Sequence, residues 1–342
     1  MKLGLQLGYW MAQPPVGVED TVAEAERLGF DSVWTAEAYG SDCFTPLAWY
    51  ARSTSSIKWG TSVCQLSART PVATAMTALT LDHLTEGRLM LGLGVSGPQV
   101  VEGWYGRPFP KPLERTREYV GIVRDVLARE GPVTSDGPHY PLPYRGGLEL
   151  GKPLKSITHP RRADVPILLG AEGPKNVALT AEIADGWLPI FYSPKLDPEY
   201  RGYLQDGFAR PTARRSLEEF EVATTVNVVI DDDVERAADA VRPSLAFYIG
   251  GMGAREMNFH FDVFCRMGYE AEARTIQDLF FEGRRDEAIA AVPTAMVEDV
   301  ALVGPVEKIR NELQAWEETV VTTMLVSGPP ERLRQVAEAI LG

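Results

Sequence analysis

The chain has 342 residues, 45% hydrophobic and 24% charged, an ordinary globular composition with apolar material for a large core. A net charge of −13, from 47 acidic against 34 basic residues, argues against nucleic acid as a partner and leaves any anionic ligand to local N–H groups and a few cations. No apolar run reaches the ~18 residues of a membrane span, and MKLGLQLGYW is too short and broken for a signal sequence, so the cytoplasm is the expected compartment.

In chain order, LGLQLGYW (3–10) predicts an apolar strand ending in aromatics. The stretch 18–30 has helical spacing, with Val22, Ala25 and Leu28 on one face, acids in the first turn and Gly29 as a stop. Strands follow at 31–39 and 57–63, separated by a short helix at 45–53. Residues 70–87 predict a helix opened by Pro71 and closed by Gly87. Strand 88–97 runs into a glycine-rich turn, and 113–130 is helical. The Pro/Gly-rich segment 131–164 breaks this rhythm and reads as an insertion with a hairpin. The pattern resumes with strand 165–171, helix 174–184, strand 185–191 and strand 220–230. A mostly helical second insertion spans about 232–300. A helix at 306–318, a strand at 319–328 and a closing helix complete the chain.

The strand runs are nearly continuous in apolar residues, as buried parallel strands require. Four βα units in the first 130 residues predict an α/β fold, a (β/α)8 TIM barrel forming a single domain over 1–342 with the two insertions. No GxGxxG opens a helix after the first strand, which weakens the dinucleotide-binding sheet as an alternative.

In such a barrel, chemistry gathers at the carboxyl ends of the strands. The turn Gly170, Ala171, Glu172, Gly173 precedes Pro174 at a helix start, where free N–H groups can cradle a phosphate; it also suits an ordinary strand-to-helix connection. Gly94, Val95, Ser96 and Gly97 form a turn that lets backbone approach a flat ring, or simply a tight loop. Glu37 ends the second strand and reads equally as a proton carrier, a cofactor-positioning group or a salt-bridged acid. His260 lies within reach of the barrel mouth from the second insertion, whereas His83 in its helix reads as structural. Trp10, Tyr39, Trp104 and Phe191 are candidate aromatic walls. Three scattered cysteines without CxxC and four histidines without ligand spacing predict neither a disulfide framework nor a metal site.

The stretches RLGFDSVWTAEAYGSD (27–42), KWGTSVCQLSARTP (58–71), LTLDHLTEGRLMLGLGVSGPQVVEGWYG (79–106) and LLGAEGPKNVALTAEIADGWLP (168–189) together resemble the luciferase-like oxidoreductases, and more closely their coenzyme F420-dependent branch. The resemblance implies F420 as cofactor, with FMN as the alternative, and a homodimer acting on a small-molecule substrate. It implies a non-proline cis peptide at Ser62–Val63 or an adjacent bond, in a bulge with Cys64 that backs the ring. It places residues 94–97 along the cofactor and residues 170–173 at its phosphate. Relatives that act on alcohols and sugars often carry an acid followed by His after the second strand; here Glu37 is followed by Ala38. A proton relay then falls to Glu37, Tyr39, Glu102 or His260. The deazaflavin does not activate oxygen as a flavin does. Hydride transfer to or from a carbonyl, enone or alcohol is therefore expected ahead of FMN-dependent monooxygenation or cofactor binding without chemistry.

Overall fold

Each apolar run read as a strand contributes a stave to one parallel sheet that closes on itself. The computed structural model describes residues 1–342. Its strands are β1 (Lys2–Gly8), β2 (Ser32–Thr35), β3 (Lys58–Thr61), β4 (Cys64–Gln65), β5 (Leu89–Gly94), β6 (Ile167–Gly170), β7 (Gly186–Trp187), β8 (Glu221–Thr225), β9 (Asn227–Ile230), β10 (Ala301–Gly304) and β11 (Thr323–Val326). The large sheet runs β3-β2-β1-β11-β8-β7-β6-β5-β4, and β3 also pairs with β5, which closes the ring. Because β3 and β4 are two halves of one stave, the ring has eight staves, the expected (β/α)8 barrel.

The barrel interior is packed, not hollow. Trp34, Met90, Leu168, Leu188, Ala223 and Leu325 form an inner cluster. Room for the Trp34 indole depends on Gly60, where an added Cβ would meet the ring at 2.4 Å. Outside the strands, a 58-residue core joins them to the surrounding helices. The helix Pro71–Leu84 shows how local sequence sets an element: Thr70 accepts from Ala73 N, Pro71 occupies the first turn, and Gly87 turns the chain at φ +84°.

The structure departs from the sequence reading in two places, the seventh strand and two added elements, while segment 131–164 is the expected insertion with a hairpin. The strand expected over 220–230 breaks at Val226. Its first half, β8, is a stave, while β9 leaves the barrel and pairs in parallel with β10, from Asn227↔Ala301 to Ile230↔Gly304. Strand β10 and the helix Asp197–Phe208 are elements beyond those predicted. Segment 131–164 is a loose hairpin tied by isolated antiparallel bridges, Val133–Leu154 and Ser135–Leu142. It is stapled to the barrel by Arg162, which pairs with buried Asp82 and donates to Leu89 O at 2.6 Å.

The second insertion is helical as expected, from Val234–Asp239 to Thr294–Glu298, and has an 18-residue core of its own. It lies over the barrel mouth, joined there through Phe191. No helix of the chain is long and apolar enough to cross a membrane.

Candidate active site

A cavity of about 1000 Å³ opens at the carboxyl ends of the staves. Ser62 and Val63, Gly94–Gly97 and Gly170–Gly173 all line it, so the three loops singled out in the sequence converge on one space. Residues 244–260 of the second insertion cover it. The Ser62–Val63 bond is cis, and Ser62 N–H donates to Thr35 O at 2.6 Å. Val63 turns into the space that two glycines leave: a Cβ on Gly94 would meet Val63 Cγ2 at 2.4 Å, and one on Gly170 would meet Cγ1 at 3.3 Å. The glycine at 94 therefore serves the bulge first, and only through it the cavity wall. Beyond Gly173, where an added Cβ would meet nothing within 4 Å, the helix Pro174–Ile183 begins with its N-terminus on the cavity.

Glu37 is not a free carboxylate. Its Oε1 accepts from Gln65 N at 2.8 Å and Arg69 Nη1 at 2.7 Å, and its Oε2 from Arg69 Nη2 at 3.0 Å and Cys43 N at 3.3 Å. A bidentate guanidinium and two backbone donors occupy both oxygens. The group ties the end of β2 to the loop after β4. Its ligand atom lies within 4.8 Å of the Cys43 and Cys64 sulfurs, but Arg69 already supplies the cation there.

Two other titratable groups are displaced by burial. Glu172 is pushed up to about 8, with the Ile190 N–H and the nearby Arg266 charge only partly opposing burial. Its Oε1 accepts from Ile190 N at 3.0 Å, while Oε2 is buried without a partner. The acid is therefore largely uncharged at neutral pH. Burial takes His260 the other way, down to about 4, so the ring is neutral. Its Nδ1 is buried without a partner, and the ring stands edge-on to Tyr248 at 5.0 Å and Phe191 at 5.8 Å between centroids. Burial also raises Tyr9 and Tyr248, so both stay protonated. Arg266, at the far end of the same helix as His260, donates to Glu172 O at 3.0 Å. That bond fastens the insertion to the turn at 170–173.

The sequence profile described as luciferase-like monooxygenase matches residues 8–323. The chain belongs to that family. It is 60% identical over 343 aligned residues to the Mycobacterium tuberculosis protein named coenzyme F420-dependent oxidoreductase Rv3520c, covering 99% of each chain. Among solved structures, the coenzyme F420-dependent tetrahydromethanopterin reductase of Methanopyrus kandleri is similar with a TM-score of 0.82 at 24% identity, covering 99% of this chain and 98% of its own. An F420-dependent secondary alcohol dehydrogenase, in complex with an F420–acetone adduct, gives 0.75 at 16% identity with the same coverage. At these identities the two structures speak for the fold.

Most of the residues picked from sequence meet on the mouth of this luciferase-like barrel. Tyr39, His260, Trp104 and Phe191 line the cavity with Glu37 and the three loops. Glu102 does not: it is exposed, off the cavity, and accepts from Phe109 N at 3.4 Å. Cys64 lies fully buried behind the bulge, and Trp10 is not among the residues that line the cavity. Two participants escaped the sequence reading as site residues: Arg69 and Tyr248. Tyr9, at the end of the first apolar run, lines the cavity as its strand-end position implies. Nothing local marks Arg69 as Glu37's partner, and Tyr248 sits in a helix whose spacing reads as core.

Proposed function

We propose that the chain is a coenzyme F420-dependent oxidoreductase that moves a hydride between the deazaflavin and an uncharged carbonyl, enone or alcohol. The observation that carries this reading is the convergence of the cis bulge, the 94–97 turn and the 170–173 turn on one cavity. The 60% identity to a protein named for F420 supports it.

The residues present fit the group. The helix start at Gly173–Asn176, beside the Lys175 side chain, offers backbone donors and positive potential for a phosphate. Glu172 does not oppose an anion there, because burial keeps it largely uncharged at neutral pH. Val63 and residues 94–97 would form the two walls of a flat ring. When bound, the deazaflavin supplies the hydride-carrying centre.

The chain's own residues position, desolvate and protonate. Glu37 and Arg69 tie the end of β2 to the loop after β4, with both carboxylate oxygens occupied. Tyr9 and Tyr248 remain hydroxyl donors, and His260 a neutral ring, so a substrate oxygen meets donors without fixed charge. With Glu172 largely uncharged, the charged residues on the cavity are Glu37, which is ion-paired, and Lys175. Away from the phosphate turn the cavity thus favours a neutral, apolar-bodied substrate over a sugar phosphate. Assembly as a homodimer in the cytoplasm belongs to the same proposal.

The test is a titration of the purified chain with F420 and, separately, with FMN, followed by fluorescence quenching. Saturable F420 binding at least tenfold tighter than FMN is expected. Preference for FMN would overturn the reading.

A further inference from the structure

The mouth cavity opens to solvent past large apolar side chains. Tyr39, Trp104 and Met257 all line it, yet they are 51%, 64% and 45% exposed. A single exposed hydrophobe is ordinary, but several around one opening mark a surface that holds an apolar ligand.

Hydrogen bonds of their chain neighbours bring these three together. Tyr105 Oη donates to Ala38 O at 3.5 Å, which sets Trp104 beside Tyr39. Asn258 Nδ2 donates to Tyr248 O at 3.0 Å and to Ile249 O at 2.8 Å, which sets Met257 against the helix that carries Tyr248. Tyr39 in turn stands near Tyr9 and Tyr248, whose hydroxyls are raised first by burial and further by Tyr39. The apolar rim is therefore continuous with the uncharged donors of the cavity.

Charge is kept off this rim. Arg255, two residues before Met257, pairs with Asp278, and neither it nor Glu256 lines the cavity. The lining holds no Asp and no Arg, and its one lysine, Lys175, belongs to the helix start beyond Gly173. Met252, from the same loop as Met257, also lines the cavity, and two thioethers adapt to the shape of what they cover. The volume of about 1000 Å³ is at the upper end for small-molecule sites, so a bulky second ligand has room beside a flat ring.

We propose, resting on the F420 reading, that the substrate is a neutral ketone or the corresponding secondary alcohol with a long hydrocarbon body. Its oxygen lies among Tyr9, Tyr248 and His260, and its far end lies across the rim of Tyr39, Trp104 and Met257. In the ketone direction the carbonyl carbon takes up the hydride and its oxygen a proton, while the reduced cofactor is oxidised; the alcohol direction reverses each transfer. Such a body is held by moving its methylenes out of water, and each one that the rim covers strengthens binding by up to about fourfold. A partner protein seated on the same rim would produce no dependence on substrate length.

The test is a series of methyl ketones from butanone to decan-2-one, assayed with reduced F420 on the native chain and on the double variant Trp104→Ser/Met257→Ser. For the native chain, kcat/KM is expected to rise about tenfold or more along the series, and in the double variant most of that rise is lost. Independently of turnover, decan-2-one, but not butanone at equal concentration, is expected to move the tryptophan emission of the native chain to shorter wavelength. That shift disappears in Trp104→Phe, which removes the exposed indole. An absent, flat or falling dependence on length, while F420 still binds, overturns the proposal and leaves the F420 reading standing. So does a dependence that survives in the double variant, or an equal emission shift with both ketones. A chain that binds no F420 in the quenching titration fails both readings.

Discussion

At the scale of single residues, the site is governed by groups that cannot behave as their types suggest. Glu172 is raised to about 8 in the folded chain, so the folded state holds a proton that the unfolded state releases near the ordinary glutamate value. Stability therefore falls as pH rises between the two values and is flat above about 8. Glu172→Gln keeps the acceptor for Ile190 N–H and removes the ionisation. It should be about 1–3 kcal/mol more stable than the native chain at pH 8, with a much smaller gain at pH 5, by denaturant titration. His260 has the opposite sign. Its folded value is lowered to about 4, so it contributes a loss of stability as pH falls from about 6.5, and His260→Phe should flatten that acid limb of the melting profile. Gly94→Ala places a methyl where Val63 already is, 2.4 Å from Cγ2. It should cost about 1–3 kcal/mol, and Val63→Ala in the same chain should recover part of that loss.

At the scale of elements, the sequence exposed what depends on local pattern and hid what depends on distant partners. The staves were readable because buried parallel strands are uniformly apolar: Leu89, Leu91, Leu93, Ile167 and Leu169 give no alternation to misread. The break at Val226 was not readable, since EVATT and NVVI are equally strand-forming; what separates them is the pairing of β9 with β10, some seventy residues on. The glycine turns were visible as punctuation, but the role of Gly94 as the socket for Val63 needed the bulge to be built first. Glu37 read equally as acid, positioner or salt-bridged group because Arg69, more than thirty residues away, decides the matter. Arg266 is another such distant partner, tying the helix Phe259–Arg266 to the turn through Glu172 O. Arg266→Met should weaken whatever occupies the turn by about tenfold and speed amide exchange in 259–266, with β5 and β6 unchanged in the same hydrogen-exchange run.

At the scale of the whole molecule, the chain is a rigid ring with a separately cored cover. The 18-residue core of the second insertion meets the barrel near Phe191, and Arg266 adds a bond at the 170–173 turn. Amides within 234–298 should therefore exchange as one cooperative unit, at lower free energy than the barrel strands, and pulsed exchange with mass spectrometry resolves the two classes. The fastening of the cover to the turn also bears on kinetics. The residue that anchors the cover, Arg266, and a residue that lines the cavity, His260, lie on one short helix, and the anchor grips the turn where a phosphate would lie. A molecule filling that turn stiffens the cover before anything is enclosed beneath it. Turnover should therefore follow a compulsory order, with the phosphorylated partner first on and last off and product escape limited by the cover's opening rate, a pattern that steady-state product inhibition would display.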